Sequence, residues 1–153
     1  GHLDQSLFAR EILGNHKGPP PEINFFNEKN NGNTLLELIN KKLILSSHDI
    51  SIGGILIGLA KMCIGGKMGA IINTPSSLIN INEYFYGEDQ GRYIIEVDNV
   101  NLENVTKILD KNSVFFEKIG LTQNKNFSIR NEFDITVDEI SSYNKNWFNK
   151  YMN

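Results

Sequence analysis

The densest grouping of chemistry-bearing residues is Ser47-His48-Asp49-Ile50-Ser51-Ile52-Gly53-Gly54, a polar turn running into an apolar stretch, Ile55 to Ile64. Serine, histidine and aspartate together suggest nucleophilic catalysis. Consecutive residues on a strand, however, point to opposite faces, so His48 and Asp49 are not expected to touch and no triad is expected. The backbone offers a different chemistry. Two adjacent glycines and Ser51 at a helix start would expose N–H groups able to accept an anion such as phosphate, with Ser51, Gly53 and Gly54 as contact residues. In the alternative reading, His48 or Asp49 bonds the turn backbone and holds its shape.

A second grouping is Gly87-Glu88-Asp89-Gln90-Gly91-Arg92. Here a carboxylate and a guanidinium flank a glycine turn. Glu88 and Arg92 can pair with each other, or together with Gln90 hold a polar ligand. Gly65-Gly66-Lys67-Met68-Gly69 carries the composition of a phosphate loop in the wrong order. It follows a helix, precedes a strand and has Met68 where a hydroxyl is needed, so it reads as a helix terminator. No His, Cys, Asp and Glu set has metal-ligand spacing, and no catalytic residue is assigned. Cys63 sits in an apolar helix and cannot form an internal disulfide. Its one nearby cation, Lys61, lies on another face.

These groups must be positioned by a chain of 153 residues with a formal net charge of -3 and a pI near 5.6. That length suits one well-buried core, and the charge leaves no footprint for nucleic acid or an anionic membrane. No apolar run reaches the roughly 18 to 20 residues of a membrane span, and no signal peptide is visible. A reducing cytoplasm is the expected compartment. Gly1-His2 reads as a tag remnant, and residues 3–153 read as a single domain.

A helical stripe covers Leu3 to Leu13 and stops at Gly14. Gly18-Pro19-Pro20-Pro21 is a stiff extended connector. Asn27 to Asn33 reads as a mobile loop, with Asn33 capping a helix over Thr34 to Lys42 that presents Leu35, Leu38 and Ile39 on one face. A strand over Leu43 to Ser47 leads into the Gly-Gly turn and the apolar helix, which is expected to end at Gly65-Gly66 in left-handed geometry. Gly54 and Gly58, four apart, would let another backbone approach closely. Further expectations are a strand over Met68 to Asn73, a short helix from Ser76-Ser77 to Phe85, a strand over Arg92 to Val97 and a helix over Leu102 to Leu109. Beyond these come a strand over Val114 to Leu121 and a hairpin of Phe127 to Ile129 with Ile135 to Val137. A final helix, capped by Asp138, carries Ile140, Trp147 and Phe148. The alternation implies an α/β (α+β) fold, a mixed sheet with helices packed on it.

Taken together, His48-Asp49-x-Ser51-x-Gly53-Gly54, the Ala60-Lys61-Met62 helix and Tyr84-Phe85 through Gly87-Glu88 to Gly91-Arg92 resemble the last domain of phosphoribosylformylglycinamidine synthase. The likeness extends to Gln5-Ser6, the triple proline, Ile119-Gly120 and Trp147. The chain departs from the family pattern at Ile52, where Asp is usual, and at Asp89, where Ser is usual. The resemblance implies the C-terminal domain fold of aminoimidazole ribonucleotide synthetase. It also implies a place in a small-type, ATP-dependent amidotransferase that makes formylglycinamidine ribonucleotide in purine biosynthesis. ATP and Mg2+ would belong to the full-length enzyme, with none bound by this domain alone. Partners would be the N-terminal ATP-binding domains, a separate glutaminase subunit and a small bridging subunit. The domain itself would be structural and inactive. Alternatives are a domain of a related enzyme, of the aminoimidazole ribonucleotide synthetase or thiamine-phosphate kinase type, or a free-standing binding module.

Overall fold

A computed structural model describes residues 2–74 and 80–152. In chain order the elements are α1 (Leu7–Glu11), α2 (Phe25–Asn40), β1 (Ser46–Asp49), α3 (Gly54–Gly66), β2 (Gly69–Ile72), α4 (Ile81–Tyr86) and β3 (Tyr93–Glu96). A 3-10 turn (Asn99–Asn101), α5 (Leu102–Lys111), β4 (Gly120–Gln123), β5 (Asn126–Ile129), β6 (Phe133–Thr136) and α6 (Val137–Met152) complete the order. The expected helix start at Ser76-Ser77 lies outside the described residues. None of the described helices is long and apolar enough to cross a membrane.

The chain divides into two compact units, one of Gly1–Gly58 with Asn82–Glu117, the other of Leu59–Ile81 with Lys118–Asn153. The first carries an antiparallel pair, β1 with β3, in which His48 faces Ile94 and Asp49 faces Tyr93. Its core gathers Leu38 of α2 with Val105 and Leu109 of α5, packed by Leu43, Ile44, Ile95, Val97, Ile108 and Val114. The second unit carries the mixed sheet, in the order β4-β2-β5-β6. Its β2 and β5 run parallel and the other neighbours antiparallel. Alternation puts Ala70 and Ile72 of β2 beside Phe127 and Ile129 of β5 on a buried face, with Phe133 edge-on to Phe127 at 5.7 Å.

Several boundaries differ from those read in the sequence, each for a local reason. The first helix starts at Leu7 because Ser6, 1% exposed, accepts a hydrogen bond from the Ala9 N–H at 3.1 Å and caps it there. The asparagine-rich stretch from Asn27 to Asn33 is helical. Asn24 caps α2 by accepting from the Asn27 N–H, while Asn30 and Asn31 donate to the carbonyls of Asn112 and Gly91. Tertiary hydrogen bonds thus override the weak helix propensity of asparagine. Of the expected apolar face Leu38 is buried, but Ile39 is 44% exposed.

Left-handed geometry at the end of α3 falls on Lys67 (φ 52), because Gly65 and Gly66 remain helical. The strand expected over Val114 to Leu121 is confined to Gly120–Gln123, since Val114 joins the Leu38 cluster and Phe115 is 89% exposed. Likewise the expected Leu43 to Ser47 strand begins at Ser46, because Leu43 and Ile44 are drawn into that cluster. Finally, α6 is capped by Thr136, whose hydroxyl accepts from the Glu139 N–H at 3.2 Å, so Asp138 lies inside the first turn.

Candidate functional site

Both polar groupings fall in the first unit, and they meet through Glu88. One oxygen of its carboxylate, Oε1, accepts from the Gly53 N–H and from the Leu7 N–H, each at 2.8 Å. The Gly54 N–H donates instead to the Ser51 carbonyl at 3.0 Å, closing the turn on itself. An anion does sit at the glycine turn, and it is a side chain of the same chain. Gly53 (φ +87) and Gly54 (φ +68) both lie in the left-handed region. A Cβ on Gly54 would come within 2.5 Å of the Phe85 carbonyl oxygen and 2.7 Å of the Tyr86 Cα, so the end of α4 rests directly on this glycine. The expected close approach therefore holds for backbone at Gly54. At Gly58 the neighbour is the tip of the Ile94 side chain, whose Cδ1 would lie 3.0 Å from a Cβ.

Arg92 does not pair with Glu88. Its guanidinium donates to Asp89 Oδ2 at 2.8 Å and to the Gly87 carbonyl at 3.4 Å, fixing the turn from within. Asp89 also accepts from the His2 backbone N–H at 3.2 Å, and the Glu88 N–H donates to the His2 carbonyl at 3.3 Å. His2, set aside on sequence grounds, is thus bonded to this turn. Gln90 and Ser51 are exposed.

The His48 ring turns back onto its neighbour, with Nδ1 2.5 Å from the Asp49 backbone carbonyl and 3.8 Å from the Asp49 carboxylate. The two adjacent side chains therefore approach each other more closely than strand alternation suggests. The hydrogen bond is to backbone, and among the described residues no serine is bonded to this ring. The Ile50 N–H donates to the Arg92 carbonyl at 2.8 Å, tying the two polar turns together beyond the β1–β3 ladder.

Sequence reading missed Glu28 of α2. Its Oε2 is buried without a hydrogen-bond partner and lies where a Cβ on Gly91 would come within 2.6 Å. Glu28 and Asp49, behind the larger effect of burial, push the Tyr93 phenol above its ordinary range. Tyr84 is pushed up to about 12, first by burial and then by Glu117, whose carboxylate accepts its hydroxyl proton at 3.3 Å. Only the long-range packing of α2 on the turn reveals Glu28; nothing in its local sequence marks it.

The second unit has an open depression of about 490 Å³ on its sheet, lined in part by Gln123, Lys125, Asn126, Ser128 and Asp134. Its polar groups are largely spent on each other. Gln123 Nε2 donates to the Asn126 carbonyl and the Ser128 hydroxyl, both at 2.8 Å, and the Asn126 amide donates to Asp134. Among the described residues no three His, Cys, Asp or Glu side chains are grouped to hold a metal ion.

A mixed four-stranded sheet in one unit, and in the other a glycine turn closed by an internal carboxylate, define an α/β module without a convergent set of catalytic groups among its described residues. The chain belongs to the AIR synthase related protein, C-terminal domain family, whose model matches residues 5–130. It is 55% identical over 152 residues to phosphoribosylformylglycinamidine synthase subunit PurL of Pelagibacter ubique (strain HTCC1062), covering 99% of this chain and 21% of that protein. T. maritima PurL is similar in fold. Its complex with FGAR gives a TM-score of 0.72 at 19% identity, covering 88% of this chain and 24% of that one. Its complex with ATP gives 0.64 at 18% identity over 74% of this chain and 21% of that one. The PurLQS structure from Thermotoga maritima gives 0.67 at 19% identity, covering 87% of this chain and 24% of the matched chain. The chain spans about a fifth of the length of the PurL relative it matches.

Proposed function

We propose that this chain is one domain of a small-type phosphoribosylformylglycinamidine synthase. The whole enzyme is the ATP-dependent amidotransferase that converts formylglycinamide ribonucleotide to formylglycinamidine ribonucleotide in purine biosynthesis. The observation that carries this reading is 55% identity sustained over 99% of the chain to a protein of that name. ATP and Mg2+ are assigned to ATP-binding domains outside these residues. In the polar turns Glu88 Oε1 accepts from two amides and Asp89 Oδ2 pairs with Arg92, so each carboxylate has a structural part in holding the turn. A separate glutaminase subunit supplies ammonia, a small bridging subunit joins it, and the assembly works in the cytoplasm.

Within that enzyme the domain acts as a preassembled wall. Gly53, Gly54, Glu88 and Arg92 hold the wall's shape, with His48 and Asp49 locking the approach to the turn. Ser51 and Gln90 remain on the surface as the groups free to meet substrate or a neighbouring domain. The test is an amidination assay with ATP and ammonia. The 153-residue chain alone is expected to show no turnover, and the full-length subunit carrying it to be active. Turnover by the isolated chain would overturn the wall assignment, and an inactive full-length subunit would overturn the synthase reading.

A further inference from the structure

The last helix starts in the core and then leaves it. In α6 the apolar residues lie in two adjacent rows of four-residue spacing, Tyr143-Trp147-Tyr151 and Ile140-Phe148-Met152, the second interrupted by Asn144; these are the rows by which helices most commonly pack on one another. The charged residues Asp138, Glu139, Lys145 and Lys150 occupy the opposite half of the helix. Val137 is buried and Ile140 half-buried, so the stripe is docked at its first turn. Beyond that it continues with Tyr143 62%, Trp147 58%, Phe148 54% and Tyr151 78% exposed. There the ring contacts are within the helix itself, Trp147 with Phe148 at 5.6 Å and with Tyr151 at 6.3 Å.

We infer that this stripe is the seat of another part of the same polypeptide, an apolar surface contributed by the synthase subunit outside these residues. The inference rests on the synthase reading above. Two observations choose this occupant. The family match ends at residue 130, before α6, whereas the match to the PurL subunit takes in 99% of the chain. The helix therefore accompanies the long subunit rather than the family module, and about four-fifths of that subunit's length is available to cover it. A second copy of this chain is the weaker candidate. A handful of half-exposed aromatic side chains offers roughly 500 Å² per copy, and self-pairing would bury about 1,000 Å², short of the ~1,200 Å² at which stable interfaces begin.

The test compares hydrogen exchange of the α6 amides in the full-length subunit and in the 153-residue chain, with synthase activity measured on the same full-length preparation. The expected result is exchange slower by at least about tenfold in the full-length subunit. Trp147→Asp should lower the unfolding temperature of the full-length subunit by several degrees and leave that of the isolated chain unchanged, while Trp147→Phe should behave as wild type in both. Equal exchange in an active full-length subunit would overturn the inference and leave the synthase reading standing. Protection that grows with the concentration of the isolated chain would overturn it in favour of a second copy. An inactive subunit with a protected helix would remove the synthase reading while keeping the covered stripe.

Discussion

The glycine turn and the terminal helix handle their reactive surface in opposite ways. At the turn, the groups that invite a ligand are met from inside. The Gly53 amide finds Glu88, the Gly54 amide finds Ser51, and the Arg92 guanidinium finds Asp89. Along α6, four aromatic side chains that invite burial remain more than half exposed. Unsatisfied amides in a folded chain cost more than exposed aromatic rings, because an orphaned buried donor loses its water outright while a surface ring keeps its solvation. If the chain is one wall of a larger protein, as proposed above, it can leave apolar area for its neighbours to cover. Its hydrogen-bonding turns must be complete in themselves.

The sharpest way to break this comparison is at Gly54. Gly54→Ala places a methyl against backbone at Phe85 and Tyr86 and forces a left-handed conformation on a non-glycine residue. The expected loss is about 4 kcal/mol in denaturant unfolding of the 153-residue chain. A near-neutral result would show that the approach of α4 is loose. Next in size is Glu88→Ala, which strands the Gly53 and Leu7 amides and is expected to cost about 2 to 3 kcal/mol. Glu88→Gln keeps an acceptor oxygen and should cost about 1 kcal/mol, the difference measuring the charge. If both variants matched wild type, the turn would not be held by this carboxylate.

These predictions turn on contacts that one-dimensional reading could not choose between. The sequence places Glu88, Asp89 and Arg92 together, and which carboxylate takes the guanidinium depends on a backbone far away in sequence. Glu88 is claimed by Gly53 and Leu7, so Arg92 is left to Asp89. What depends on local periodicity was legible: β2, β3, β5, α5 and most of α3 lie where expected, whereas the second hairpin strand, expected over Ile135 to Val137, is Phe133–Thr136 and Val137 opens α6.

The helix ends were not. At α2, α3 and α5 the left-handed residue is Lys42 (φ 55), Lys67 (φ 52) or Ser113 (φ 53), none of them glycine. In each case the same pair of hydrogen bonds closes the end. Leu43 and Lys42 donate to Leu38 and Ile39, Met68 and Lys67 to Cys63 and Ile64, Val114 and Ser113 to Leu109 and Asp110. At α2 and α5 the pairs Leu38 with Leu43 and Leu109 with Val114 also share the core, and that contact offsets the strain a glycine would have avoided. The helix through the asparagines of α2, read in the sequence as a mobile loop, was likewise hidden, since partners such as the Asn112 and Gly91 carbonyls are supplied only by the fold.

A pH titration sharpens the comparison within the first unit. Tyr84 prefers its neutral form in the fold, with a pKa raised from 10.0 to about 12 by burial and by Glu117. Below pH 10 the phenol is protonated in both folded and unfolded chains, and its contribution is fully present. Between pH 10 and 12 the unfolded chain releases the proton first, so stability falls through that window. Tyr84→Phe should remove this part of the alkaline loss, visible as a shallower decline in unfolding midpoint between pH 9 and pH 12. An unchanged slope would mean that burial and Glu117 do not hold this phenol above its ordinary range in the fold.

The smallest effect is expected where the side chain is largest. Trp147 is the one tryptophan of the chain and is 58% exposed, so Trp147→Ala in the isolated 153 residues should change stability by no more than about 0.5 kcal/mol. Its fluorescence should be that of a wet indole, readily quenched by iodide, at every protein concentration. A cost well above that value would mean that the stripe already has a partner within the chain. The contrast between a self-completed turn and an uncovered helix would then disappear, because α6 would be as internally satisfied as Glu88.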